Sequence, residues 1–246
     1  MQLRVARSYH VAVIEQPEGA ADRPDRRRTA AAERRRQREA AIIAATRELF
    51  DARGVRDAQI DDVAKAVGVN RAIIYRHFTG KEELFALTLV GYLRELGRSL
   101  ADADVDEQAA PEVRLRRIAE AFVDYGSAHP AFVDCGVTVL RMGPELLDEL
   151  SPSALFRLGR AMTECLSHVV RVLKVGMDTG VFGIDDADLV ANTMYAVGLG
   201  GLQLVRLGAV VHESAPGVPV VVPVEGDRIG AQLVEATVAL AKVASE

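Results

Sequence analysis

Residues 60–78, Ile-Asp-Asp-Val-Ala-Lys-Ala-Val-Gly-Val-Asn-Arg-Ala-Ile-Ile-Tyr-Arg-His-Phe, constrain this chain more than any other stretch. Ile60, Val63, Ala64 and Val67 recur at the spacing of one helix face. Asp61 and Asp62 stand in that helix's first turn, where the macrodipole favours negative charge. Gly68 follows the last apolar position, where a helix commonly ends in a positive-φ residue. Asn70 is a good N-cap for a second helix. In that helix Ile74 and Phe78, four apart, pack inward with Val69 and leave Arg71, Ala72, Ile73, Tyr75, Arg76 and His77 largely outward. Helix, short glycine turn and helix together make a helix-turn-helix unit, whose second helix suits a DNA major groove.

The surrounding residues carry a longer pattern: Leu49-Phe50, Gly54, Ile60, Val63-Ala64, Gly68-Val69, Tyr75, His77-Phe78, Lys81 and Leu84-Phe85. From about Ile42 to Leu87 the chain resembles the TetR family of bacterial transcriptional regulators. The resemblance implies an all-α fold. It has a three-helix helix-turn-helix DNA-binding head and a larger helical-bundle domain for ligand binding and dimerisation. The expected division is a disordered basic tail over 1–32, a DNA-binding domain over 33–80, and a regulatory and dimerisation domain over 81–246.

Residue roles follow from chemistry and resemblance together. Arg71, at the start of the recognition helix, suits the O6 and N7 edge of guanine. Tyr75 and His77 match family positions that contact DNA, largely its backbone, and Lys81 matches a phosphate-contacting position. Arg76 reaches a base or a phosphate, and Ala72 lies on the same outward face. For Tyr75 a core position with only the hydroxyl outside is the other reading. Two departures stand out. Ala58-Gln59 occupies the place where the family usually has Thr or Ser as cap and phosphate ligand. Gln59 can still donate to a phosphate but caps poorly, so Asp57 is an alternative cap. Ile73 stands where a small or hydroxyl residue is frequent; it can meet a thymine methyl or serve packing.

The net charge of −5 conceals an asymmetry. Through Lys81 there are 17 Lys and Arg against 11 Asp and Glu; from Glu82 onward there are 13 against 24. A basic first third on an acidic remainder suits a protein that meets a polyanion at one end. The arginines at 23, 26–28, 34–36 and 38 form a basic arm that suits phosphates or a minor groove, or serves only as a flexible basic tail. No apolar run reaches the ~18 residues of a membrane span, and the N-terminus lacks a signal-peptide pattern. Cys135 and Cys165 lack metal-like spacing and read as small core residues of a reduced, cytoplasmic chain, nucleoid-associated when bound to DNA.

Beyond the head, helices are expected over about 33–52, from Lys81, from Pro111 to His129-Pro130, over 131–141, 145–150, 153–179, 185–207 and 228–244. Asp102 to Glu107 reads as an acidic linker. Residues 208–227, with Ala-Pro-Gly-Val-Pro-Val-Val-Val-Pro-Val in the middle, read as an apolar loop whose prolines exclude helix, either a lid over the dimer seam or a pocket mouth or a simply disordered segment. The resemblance implies a homodimer through the last two long helices, about 185–207 and 228–244. Gly198, Gly200 and Gly201 either allow close helix approach there or weaken the helix. Phe122, Tyr125, Phe132, Met142, Phe156, Met162 and Met194, with His168 and Tyr195 as polar anchors, are ligand-site candidates or ordinary core; as a set they suggest an apolar or amphipathic effector.

His129, His168 and His212 are dispersed, and no phosphate-cradling glycine loop is present, so no catalytic residue, cofactor or metal site is assigned. The expected function is a sequence-specific regulator of transcription. It represses from a palindromic operator until a small-molecule effector releases it. The alternative is a DNA-binding regulator with no small-molecule effector, constitutive or controlled by a protein partner.

Overall fold

The computed structural model describes residues 26–55 and 58–242, with the side chains of 26–29 and of Leu147 excepted. The chain divides into two compact units, one ending at Gln37 and the other starting at Arg38. The described part of the first is the opening of helix α1 (Arg26–Arg53), where Glu33 accepts hydrogen bonds from Arg36 and Gln37. This helix starts before the expected Glu33, because Ala30 to Ala32 and the following arginines are strong helix formers. The expected tail is therefore helical from Arg26, and its residues 1–25 lie outside the described residues.

In the second unit, α1 packs with α2 (Ile60–Val67) and α3 (Arg71–Tyr75). Ile42, Phe50, Ile60, Val63, Ala64, Ile74 and Phe78 are buried together. Gly68 ends α2 at φ 69°, and the Val69 amide donates back to the Ala64 carbonyl at 2.9 Å. Asn70 Oδ1 accepts from the Ile73 amide at 3.1 Å, as its N-cap position requires. Gln59 is the N-cap of α2 and makes no side-chain capping bond; Asp57, the alternative cap, lies outside the described residues.

Helix α4 (Lys81–Ala103) is buried on every side through its first half. The Phe50 and Phe85 rings meet edge to face at 4.9 Å, joining it to α1. It packs most heavily on α8 (Pro152–Asp178), and also on α5 (Pro111–Ala128) and α6 (Pro130–Met142). A short turn and α7 (Leu146–Glu149) lead into α8; α9 (Ala187–Leu207) and α10 (Gly226–Lys242) close the bundle. The prolines at 111, 130 and 152 each stand in a first helical turn, where the missing amide costs nothing.

Four sequence expectations change here. The 208–227 segment is an antiparallel hairpin, β1 (Ala209–Ala215) and β2 (Val218–Pro223), so the fold is helical with one small sheet. The helix expected from Arg228 runs from Gly226 to Lys242. The acidic linker is not simply solvated: Asp104 is buried and grips the Arg114 guanidinium through two bonds, at 2.6 and 2.8 Å. The three glycines of α9 also separate. A Cβ on Gly198 would stand 2.6 Å from the Phe122 ring, and one on Gly201 would stand 2.7 Å from Leu233. Those two permit close approach within the chain, and Gly200 alone is exposed.

The buried Asp104–Arg114 pair is the strongest stability lever of the α4–α5 corner. Arg114→Ala is expected to cost about 3–5 kcal/mol in urea denaturation, because it strands a buried carboxylate. Replacing both partners with Leu and Met is expected to cost clearly less than either single removal.

Candidate nucleic-acid interface and apolar cavity

The short α3 shows two faces. Ile74 and the following Phe78 are buried; Arg71, Ala72, Tyr75 and Arg76 are exposed, with Ile73 and His77 half-buried. Arg71 Nη2 donates to the Tyr75 hydroxyl at 3.1 Å, its guanidinium lies 5.4 Å from that ring's centroid, and Asp61 of α2 is 3.8 Å away. The Tyr75 hydroxyl, then Asp61, raise the Arg71 pKa above its usual value. Arg71 is thus a fixed cation at the start of the exposed face. Tyr75 is 43% exposed, which removes its reading as core. Gln59 is exposed just before α2. Lys81 is half-buried at the start of α4, its ammonium 4.9 Å from the Phe85 ring centroid.

The recognition element is tied to the bundle by one buried carboxylate that sequence reasoning missed. Glu83 is 3% exposed. It accepts from the Thr79 amide and hydroxyl and from the Ser151 hydroxyl at the start of α8. Thr79 Oγ1 also lies 2.9 Å from the Glu149 carbonyl. Arg157 of α8 pairs with Glu39 of α1. A third tie is aromatic and ionic: Arg47 of α1 donates to Glu95 of α4 at 2.6 Å and lies over the Tyr92 ring. Arg47 holds the Glu95 carboxyl below the usual carboxylate range against the opposing effect of burial. Tyr92 donates to Asp51 at 2.6 Å, and Tyr125 of α5 lies 3.2 Å from Glu95 and stacks on His129.

Between α4, α5, α8, α9 and α10 lies an apolar cavity of about 40 Å³. Leu96, Phe122, Cys165, Met194, Tyr195 and Leu233 line it. Of the nine ligand-site candidates it takes Phe122, Met194 and Tyr195. Tyr125 belongs to the Glu95 network and Phe132 is core against Tyr92 and Phe122. Met142 is half-buried at the end of α6, and Phe156 is 65% exposed on α8. Met162 lines a separate open groove with Lys174 and Asp188. His168 is half-buried beside Arg171; burial, then that arginine, pull its imidazole below the usual range. Both cysteines are free and buried, and burial pushes the Cys165 thiol up to about 12. The Tyr195 hydroxyl is buried without a hydrogen-bond partner.

A fixed arginine thus stands on the exposed face of a helix-turn-helix that is joined through α4 to a helical bundle. Residues 42–88 match the model described as bacterial regulatory proteins, tetR family. The regulator EthR of Mycolicibacterium smegmatis is 32% identical over 105 residues, which are 42% of this chain and 48% of that protein. The activator FasR of the same organism is 31% identical over 84 residues, 34% of this chain and 38% of that protein. The chain thus spans about half, or less, of the length of these relatives. The structure of RolR in complex with resorcinol is similar in fold, with a TM-score of 0.62 at 17% identity, covering 86% of this chain and 91% of that one. A tetR-family protein from Rhodococcus RHA1 gives 0.57 at 19% identity, covering 85% and 98%. Over residues 42–88 the chain is thus similar to the DNA-binding region of the tetR family, and it shares its fold with solved structures of that family.

The unpartnered hydroxyl at the cavity gives a stability test. Tyr195→Phe removes a buried polar group that has no bond to lose, and is expected to raise the unfolding free energy by about 1 kcal/mol. A clear loss of stability in urea titration would mean the hydroxyl is satisfied in solution.

Proposed function

We propose that the chain is a sequence-specific DNA-binding regulator working as a homodimer. Each α3 enters the major groove of one half of a palindromic operator. The carrying observation is the division of α3, with Ile74 and Phe78 buried and Arg71, Ala72, Tyr75 and Arg76 outward. In this reading Arg71 reads a guanine edge, while Gln59, Ile73, Tyr75, Arg76, His77 and Lys81 complete the surface toward bases and phosphates. Its setting is the bacterial cytoplasm.

The dimer forms through α9 and α10. Leu189, Thr193, Val197, Gly200, Leu204 and Leu207 make one exposed stripe along α9, at helical spacing and mostly apolar. Two copies joined there carry two heads, as a palindrome one helical turn apart requires.

Regulation is repression released by a small apolar or amphipathic effector held between the bundle helices. RolR, similar in fold, was solved with resorcinol, which supports an effector of small-molecule size. An effector acts only if it binds one head arrangement better than the other. One observation favours the alternative, a regulator without such an effector. The cavity of about 40 Å³ holds water-sized guests, against the roughly 300–1,000 Å³ of ordinary ligand sites. The effector reading therefore requires the bundle to open.

The test is a titration at fixed salt on DNA from upstream of the protein's own gene and its neighbours, with random DNA as control. Tight, salt-sensitive binding to a palindromic site supports the reading; affinity equal to random DNA overturns it. On such a site Arg71→Ala is expected to weaken binding by about 1–3 kcal/mol, with little change on random DNA and an intact dimer. Equal losses on both DNAs would assign Arg71 to phosphate.

A further inference from the structure

The hairpin between α9 and α10 takes no part in the head or the cavity. A two-stranded hairpin alone is marginally stable in water, and its free edges invite pairing. Its register pairs Ala209 with Pro223, Val210 with Val222, Val211 with Val221, His212 with Val220 and Glu213 with Pro219. At its base the Val224 amide donates to the Gly208 carbonyl at 2.9 Å. Antiparallel pairs alternate between hydrogen-bonded and non-bonded, so 210/222 and 212/220 share the bonded class. The pairs 209/223, 211/221 and 213/219 then point their backbone groups out of the hairpin.

The two outer edges differ. On β2 the outward positions are Pro219, Val221 and Pro223, and the two prolines have no N–H to offer. On β1 they are Ala209, Val211 and Glu213, each with an intact N–H and carbonyl. The β2 edge is blunted and the β1 edge is open. Val211 and Val221 face each other on one surface of the hairpin at 76% and 72% exposure. On the other surface Val210 meets a groove shared with Leu204, Ile229 and Leu233.

We propose that the open edge of β1 pairs antiparallel with β1 of a second copy of this chain, across a two-fold axis at Val211, to form a four-stranded sheet. This rests on the homodimer reading above. A strand paired antiparallel with itself is self-complementary, as a two-fold interface demands: Val211 meets its own counterpart, and Ala209 the counterpart of Glu213. The hairpin also continues directly from the exposed α9 stripe through Leu207 and Gly208. Residues 207–224 contain no Lys or Arg, so neither a nucleic acid nor an anionic lipid surface finds a counter-charge there. The Glu213 side chain is turned to its own loop, accepting from the Gly217 amide at 2.6 Å, and leaves the strand edge clear.

The test compares Val211→Pro with Val221→Pro in the full chain. Each proline falls at an outward amide, so neither removes a bond inside the hairpin. By sedimentation, Val211→Pro is expected to raise the dimer dissociation constant about tenfold or more, and Val221→Pro to leave it near the parent value. In the parent dimer the Val211 amide is expected to resist hydrogen exchange and to lose that protection on dilution to monomer. Equal dissociation constants for both variants and the parent, or a Val211 amide that exchanges freely in the dimer, would overturn the proposal. Protection gained only in the presence of a different protein would do the same. Val197→Glu on α9 separates the two readings. If it dissolves the dimer while Val211→Pro does not, the helical dimer stands and the strand pairing falls. If the parent chain is monomeric throughout, both fall.

Discussion

The burial of α4 on every side is the constraint on which the rest depends. From Glu83 to Val90, and again at Tyr92 and Leu93, its residues are shielded by other elements. Such a helix holds only if each neighbour stays in place. It cannot shift without disturbing Phe50 of α1, or the α8 helix packed along it. The two polar groups buried in its first turns are both satisfied. Thr88 bonds back to the Leu84 carbonyl, and Glu83 takes the Thr79 and Ser151 donors. A buried carboxylate left without those donors would cost several kcal/mol, so the start of α4 fixes the loop after α3 and the start of α8 together.

The head is consequently not a loose module. Arg47 with Glu95, Glu83 with Thr79 and Ser151, and Arg157 with Glu39 join it to the bundle at three places. Two of these engage α8 directly, and a tilt of α4 alone would strain the one at Glu83 and Ser151. The Tyr125 hydroxyl, within reach of Glu95 and the Tyr92 carbonyl, brings α5 into the same network, and α5 also supplies Phe122 to the cavity wall. A change in the cavity thus has a short, packed route to Arg47. Coupling of this kind needs two discrete arrangements of the packed parts.

How much was legible depended on the range of the physics involved. The turn at Gly68, the cap at Asn70 and the inward Ile74 and Phe78 are decided within a few residues, and the structure has all of them. The hairpin was also local: Pro216-Gly217 between two Val-rich runs is a turn signal, stronger than the loop reading its prolines suggest. The ligand candidates divide for another reason. Spacing says that Phe122, Phe132 and Phe156 each lie on a helix face, but not what that face meets. Phe122 borders the cavity, Phe132 is sealed in the core, and Phe156 faces solvent. Glu83 and Asp104 look like ordinary surface acids in sequence, because their partners lie far along the chain or across a corner.

By itself the sequence determined the helix-turn-helix, the outward Arg71, Ala72, Tyr75 and Arg76 and the succession of bundle helices, because periodicity and caps act over single turns. Tertiary structure alone decided which glycines of α9 touch their own chain, which acids are buried, and that the cavity is as small as about 40 Å³. Those outcomes depend on how closely distant helices approach, a quantity set by the packing of all of them at once.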